Sequence, residues 1–247
     1  MKNPKVIIVM PAFNVAHVLE KTVAELPRDC YDEIILVDDG SADATAQVGR
    51  TLGLTVIGHS KNFGYGRAQK TGYKLALEKK ADVIVLVHGD NQYDPSMVPV
   101  FVRKLTEGQC DLATGTRMIL GDALSQGMPV WKFIPNRFLT RLENCVFKTN
   151  ITDYHNGFRA YSSRFLSQVP LDLLSDQFDF DTDMILQCAI RKYKITEIPH
   201  PTRYAKENSQ MSFSKGMVYG FNIVRTVFFY LLHKTGMCRQ KIFEGTA

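Results

Sequence analysis

Apolar residues in this chain come in short unbroken runs separated by stretches of helical period. Residues 5–10, 33–37, 55–58, 83–87, 112–116 and 194–198 have strand length. The 83–87 run (Val-Ile-Val-Leu-Val) is β-branched and continuous, as suits a strand buried on both faces of a parallel sheet. Between the runs, apolar positions recur every three or four residues, as at Val15, Val18, Leu19, Val23 and Leu26. Helices are therefore predicted over 15–26, 44–52 and from about 67 to 79, then over 131–147 and 179–191. Asn14 is placed to cap the first helix and Pro27 to stop it. The regular alternation and short connections predict an α/β fold: a doubly wound, mostly parallel sheet with right-handed crossovers.

The chemistry gathers where the strands stop. Residues 83–87 end abruptly in His88-Gly89-Asp90-Asn91-Gln92, and ligands of open α/β sheets collect at the carboxyl ends of strands. Asp90 sits where a hard cation or a diphosphate would be bound. Asp90 and Gln92 are oxygen donors two apart in an extended turn, so both can face one way. Gly89 lets the backbone come close to a ligand. The first strand closes on Pro11-Ala12-Phe13-Asn14 and the second on Asp38-Asp39-Gly40-Ser41, so one ligand lying across the sheet edge would touch all three turns. Asp38 or Asp39 could accept hydrogen bonds from a base or ribose hydroxyl; the same turn also reads as a helix cap. The pair Gly64-x-Gly66 falls short of a dinucleotide fingerprint and no Walker-type Gly-Lys-Ser/Thr occurs, so dehydrogenase and ATPase readings lack their motifs.

Composition narrows this little. A chain of 247 residues, 45% hydrophobic and 22% charged, suits one large α/β domain with or without an appendage. A net charge of +5, spread along the chain, argues against a nucleic-acid binder and permits an anionic substrate or membrane surface. Five scattered cysteines indicate neither a disulfide framework nor a zinc site, which points to a reducing cytosol. A strand beginning at Lys5 leaves no room for a signal peptide, and a cytoplasmic location is expected.

Pro11-Ala12-Phe13-Asn14, Val37-Asp38-Asp39-Gly40-Ser41-x-Asp43-x-Thr45, Asn62-x-Gly64-x-Gly66 and Asp90-x-Gln92-Tyr93-x-Pro95 follow one another as in family-2 glycosyltransferases. Over roughly residues 5–215 the chain resembles the branch of dolichyl-phosphate mannosyltransferases and other polyprenyl-phosphate glycosyltransferases. The resemblance implies a GT-A fold and inverting transfer from a GDP- or UDP-linked sugar, with Mg²⁺ or Mn²⁺ on the diphosphate. It also implies that Pro11, Ala12 and Asn14 line the nucleotide pocket, that Asp39 reads the base or ribose, and that Asp90 ligates the metal with Gln92 beside it. His88 stands where an acid is usual. A neutral imidazole suits Mn²⁺ better than Mg²⁺, so a metal ligand, a partner of the diphosphate and a strand cap all remain readings of it.

In the second half, Gly115-Thr116-Arg117 and Asp153-x-x-x-Gly157-Phe158-Arg159-Ala160 match family elements on the acceptor side. By that resemblance Arg117, Asp153 and Arg159 join Asp90 as catalytic candidates, with Asp153 orienting the sugar or Arg117 or serving as a base. Residues 121–128 are expected to be a loop over the site. Arg137 and Arg141 share a helix face, and Arg137 and Arg203 are candidates for an anionic acceptor. A phosphate monoester is already ionised and needs cations rather than a base, which favours a lipid phosphate; a hydroxyl on a growing cell-envelope glycan is the alternative. A non-catalytic nucleotide-sugar-binding protein is the reading from another class. The chain divides into a nucleotide half (1–116), an acceptor half (117–215) and a tail (216–247). Residues 201–215 resemble the family loop that closes on the diphosphate. The apolar run 217–232, shorter than the ~20 residues that span a bilayer and flanked by Lys206, Lys215, Lys234, Arg239 and Lys241, fits two settings equally. One is an anionic membrane surface. The other is packing on the domain or in a homodimer.

Overall fold

The structure, a computed structural model, describes residues 3–121, 123–203 and 213–245. Residues 204–212 of the expected closing loop lie outside them. Seven strands form one sheet: β1 (Val6–Ala12), β2 (Glu33–Asp38), β3 (Thr55–Gly58), β4 (Val83–Leu86), β5 (Leu112–Thr116), β6 (Arg159–Ser162) and β7 (Ile195–Pro199). Their order is β3-β2-β1-β4-β6-β5-β7. Helices α1 (Ala16–Ala24), α2 (Thr45–Thr51), α3 (Tyr65–Glu78) and α4 (Val98–Thr106) belong to the first half. Helices α5 (Val130–Phe147), α6 (Ser163–Leu166), α7 (Phe180–Ile190) and α8 (Phe213–Lys234) belong to the second.

The continuous apolar strands are buried on both faces, as expected. Because side chains alternate along a strand, Ile7, Val9, Ile84 and Leu86 meet Tyr73, Phe180, Met184 and Ile223 on one face. Ile8, Met10, Val83 and Val85 meet Leu19, Val23 and Phe101 on the other.

The sheet is mostly parallel, as expected, with β6 inserted antiparallel between β4 and β5. The first residue of β6 is a buried arginine, which hides the strand pattern. Asn14 does not cap α1: it has φ +55°, and its Oδ1 accepts from Ala42 N at 2.8 Å. The free amides of α1 are met from the next loop instead, Ala16 N donating to Asp43 Oδ2 and Val15 N to Thr45 Oγ1. The Asp43-x-Thr45 spacing is thus a cap acting between loops. Residues 123–127 form turns in the expected loop, and Met118, Ala123 and Met128 pack together against Phe133.

Helix α8 packs on α5, with Ile223 and Val227 entering the core. Its other side leaves Met217, Val218, Phe221, Val224, Phe228 and Leu231 exposed. Among the described residues, no helix is long and apolar enough to cross a membrane.

Candidate active site

Two cavities open along the carboxyl ends of the strands and share a wall of Tyr65, His88, Asp90, Phe178 and Tyr219. The first, about 440 Å³, is lined by Pro11, Ala12, Asp39, Asn62, Gly64, His88, Gly89 and Asp90, all expected at the donor. The second, about 520 Å³, carries Gln92 and Arg117 between apolar walls from α5 and α8.

The first cavity is a set of braced turns. Asp39 accepts from Phe63 N (3.0 Å) and Gly64 N (2.9 Å), and His59 Nδ1 lies 2.6 Å from the same carboxylate. A ligand would therefore meet a carboxylate whose direction is already set. Asp38 accepts from Ser41 N, and Asn14 joins its own turn to Ala42, so both shape the pocket without lining it. Gly40, at φ +74°, has no room for a Cβ, which would fall 2.4 Å from the Lys61 carbonyl carbon. Gly66 likewise lets α3 approach Ser175 and Phe180.

Asp90 faces both cavities. Burial pushes its carboxyl up to about 6, opposed only by the amides of Gln92 and of Asp90 itself. It is a carboxylate short of a positive partner. Burial also lowers His88 to about 4, so the imidazole is neutral near pH 7. Among the described residues no group of three or more His, Cys, Asp or Glu side chains could hold a metal. Asp90, with Gln92 and His88 near it in the chain, still fits a cation that takes its remaining ligands from a substrate diphosphate, as Mg²⁺ sites commonly do.

Arg117 is clamped from below. Its Nε and Nη2 donate to Asp153 at 2.7 and 2.9 Å, and Nη2 also donates to the His155 carbonyl. Asn136 donates to Asp153 at 2.9 Å. Burial alone would raise the Asp153 carboxyl, but the Arg117 charge and these hydrogen bonds hold it well below the usual range. Fully buried and outside both cavities, Asp153 orients Arg117. Arg159 is also fully buried, donating to the carbonyls of Asn156, Asp181 and Tyr154 beneath the site. Arg203 lines neither cavity and donates instead to Glu25 (2.6 Å) and Asn91 (2.7 Å). Arg137 lines neither cavity.

Several lining residues were not legible. Lys132 shares the second cavity with Arg117, and burial, with that charge beside it, lowers its ammonium. Asp181 lies there too; burial raises it to about 6 against the opposing charge of Arg159. From α8, Tyr219 reaches both cavities, and its hydroxyl lies 2.7 Å from His155 Nδ1. Two of these carried a signal: Asp181, one of three acids (Asp179, Asp181, Asp183) opening a helix and open to an acceptor-side role, and Tyr65, between the two glycines of Gly64-x-Gly66.

Residues 7–169 match the family described as Glycosyl transferase family 2. The chain is 32% identical over 227 residues to an uncharacterized protein of Methanocaldococcus jannaschii, covering 91% of each. It is 25% identical to the UDP-N-acetylglucosamine–dolichyl-phosphate N-acetylglucosaminyltransferase of Methanococcus voltae, over 90% of this chain and 94% of that one. Its fold matches glucosyl-3-phosphoglycerate synthase of Mycobacterium tuberculosis, crystallised with Mn²⁺, UDP and phosphoglyceric acid. The TM-score is 0.73 at 16% identity, covering 96% of this chain and 81% of that one. The architecture is therefore the GT-A fold, with the C-terminal helix packed against it.

Proposed function

The chain belongs to glycosyl transferase family 2, and on that premise we propose that it moves a sugar from a nucleotide sugar onto a polyprenyl phosphate, inverting the anomeric carbon. The junction of the two cavities carries this reading. A polar, turn-built pocket suits a nucleoside diphosphate, and a mainly apolar one holding Arg117 and Lys132 suits a phosphate on a hydrocarbon chain. The two meet at Asp90, His88 and Tyr65, where the anomeric carbon would face its acceptor.

Asp39 orients the nucleoside, and Asp90 with Gln92 would hold the cation. When bound there, a divalent cation offsets charge on the leaving nucleoside diphosphate. Arg117, fixed by Asp153, and Lys132 bring the acceptor phosphate to the junction already ionised, so positioning replaces proton removal. The exposed apolar side chains of α8, with Val130, Ile134 and Phe138 of α5, give the acceptor's hydrocarbon a bilayer surface from which to enter.

The test is transfer from labelled UDP- and GDP-sugars to farnesyl phosphate, farnesol and a free monosaccharide, with the product's anomeric configuration read by NMR. Transfer to the phosphate, with inversion, is expected. Transfer to a hydroxyl alone would sink the lipid-phosphate reading. One observation favours that second acceptor class: Asp181, raised to about 6 in the acceptor cavity, is poised as a general base. A hydroxyl acceptor would make Asp181→Asn inactive, whereas a phosphate acceptor would not need its carboxylate for proton removal.

A further inference from the structure

His88 stands where an acid is usual, and its surroundings hold the ring in one place. Behind it is Gly157, where a Cβ would fall 2.6 Å from His88 Cε1 and 2.8 Å from Nε2. Tyr65 and Tyr93 pack edge-on against the imidazole with ring centroids at 5.3 and 5.0 Å. Tyr93 Oη in turn accepts from Gly157 N at 3.0 Å, tying the backing residue to the clamp.

The hydrogen bonds then select a tautomer. His88 Nε2 lies 2.9 Å from Tyr65 Oη, and the Tyr65 hydroxyl reaches Asp181 Oδ2 at 3.3 Å. Tyrosine has one proton to give. The Asp181 carboxylate, 3.9 Å from the Arg159 guanidinium, can only accept, so that proton goes to it. Tyr65 Oη must then accept from His88 Nε2–H, and Nδ1 keeps its lone pair. Donating one ring N–H into a chain that ends on a carboxylate is how proteins prepare a histidine to bind a metal through the other nitrogen. His88 lines the same two cavities as Asp90, two residues away.

We propose that His88 Nδ1 and the Asp90 carboxylate form a mixed nitrogen–oxygen cation site, completed by donor diphosphate oxygens, that takes Mn²⁺ in preference to Mg²⁺. This rests on the donor-site reading above. Mg²⁺ favours oxygen ligands in near-ideal octahedral geometry, while imidazole suits transition metals. Tyr65 and Asp181 are positioning residues that act through His88.

Electron spin-echo spectroscopy of Mn²⁺ bound with UDP or GDP reads the nitrogen directly. Nitrogen coupling is expected in the wild type and should vanish in His88→Asp. By calorimetry, wild-type nucleotide binding should be at least about tenfold tighter with Mn²⁺ than with Mg²⁺, the ratio falling below about threefold in His88→Asp. Tyr65→Phe leaves the ring but removes the tautomer lock, and should weaken Mn²⁺-dependent binding about tenfold. If His88→Asp does not fold, the wild-type spectrum and Tyr65→Phe carry the test. Cation-dependent nucleotide binding without nitrogen coupling in the wild type overturns this proposal and leaves the donor site standing. Binding indifferent to either cation overturns both.

Discussion

The two cavities are built by different means. The first, proposed for the donor, is made of turns that follow strands, and its polar atoms are already engaged: Asp39 by two backbone amides and His59, Asn14 by Ala42, Asp38 by Ser41. The second, proposed for the acceptor, is made of helix faces, α5 against α8, and its polar groups stand on a buried scaffold of Asp153, Asn136 and Arg159. A turn-built pocket depends on local hydrogen bonds. A helix-built one depends on how two distant segments pack. Damage to the first should show as lost nucleotide binding with the fold intact, and damage beneath the second as lost stability.

The largest effect should come at the shared wall. Asp90→Asn should lower turnover by about 10²–10³-fold, since it removes the charge that would hold the cation; a fully active variant would remove Asp90 from the site. Next is the scaffold. Arg117→Ala leaves the buried Asp153 carboxylate without its partner and should cost about 3–5 kcal/mol in denaturant unfolding. Adding Asp153→Asn should recover part of that stability but none of the acceptor activity. If the single variant unfolds like the wild type, the ion pair is not what orders this cavity.

A smaller effect separates charge from fold at Asp90. Its folded pKa, about 6, lies above the ordinary 3.8, so the ionised group weighs against the native state at pH 7 and ceases to do so as pH falls through 6 toward 4. Asp90→Asn should therefore stabilise the ligand-free protein by about 2–3 kcal/mol at pH 7.5 relative to wild type, a gain that disappears below about pH 4. Thermal unfolding of both proteins across that range checks the sign. Lys132→Ala should raise the KM for a lipid phosphate about tenfold and leave nucleotide affinity unchanged. Asn14→Ala should do the reverse, at a loss of about 1 kcal/mol from the donor turn. Nucleotide affinity that falls with Lys132→Ala, or acceptor KM that rises with Asn14→Ala, would mean that the two cavities act as one.

What could be read along the chain depended on distance in sequence. The strands, most helices and the donor turns are local, because a continuous β-branched run followed by a polar turn carries its own signal. Most of the residues expected at the donor fall into one cavity because parallel strands present all their carboxyl ends on one edge. Arg117 and its partner Asp153 were legible as a motif pair, although the direction of the relationship, Asp153 supporting Arg117 from below, needed coordinates. Lys132 carried no mark that distinguished it from a solvated lysine. Strand β6 was masked by the arginine at its start, whose charge is satisfied by carbonyls from three separate residues.

The sequence by itself determined the sheet's buried strands and the acidic turns at their ends, each resting on residues close together, and the family, which rests on short motifs in a fixed order along the chain. Tertiary structure alone decided that α8 walls the second cavity, that Asp43 and Thr45 cap a helix they do not precede, and that His88 is tied through Tyr65 to Asp181. The physical reason is the same in each case. Burial and directed hydrogen bonds join groups 23, 27, 30 and 116 residues apart, and no local pattern encodes a partner at that separation.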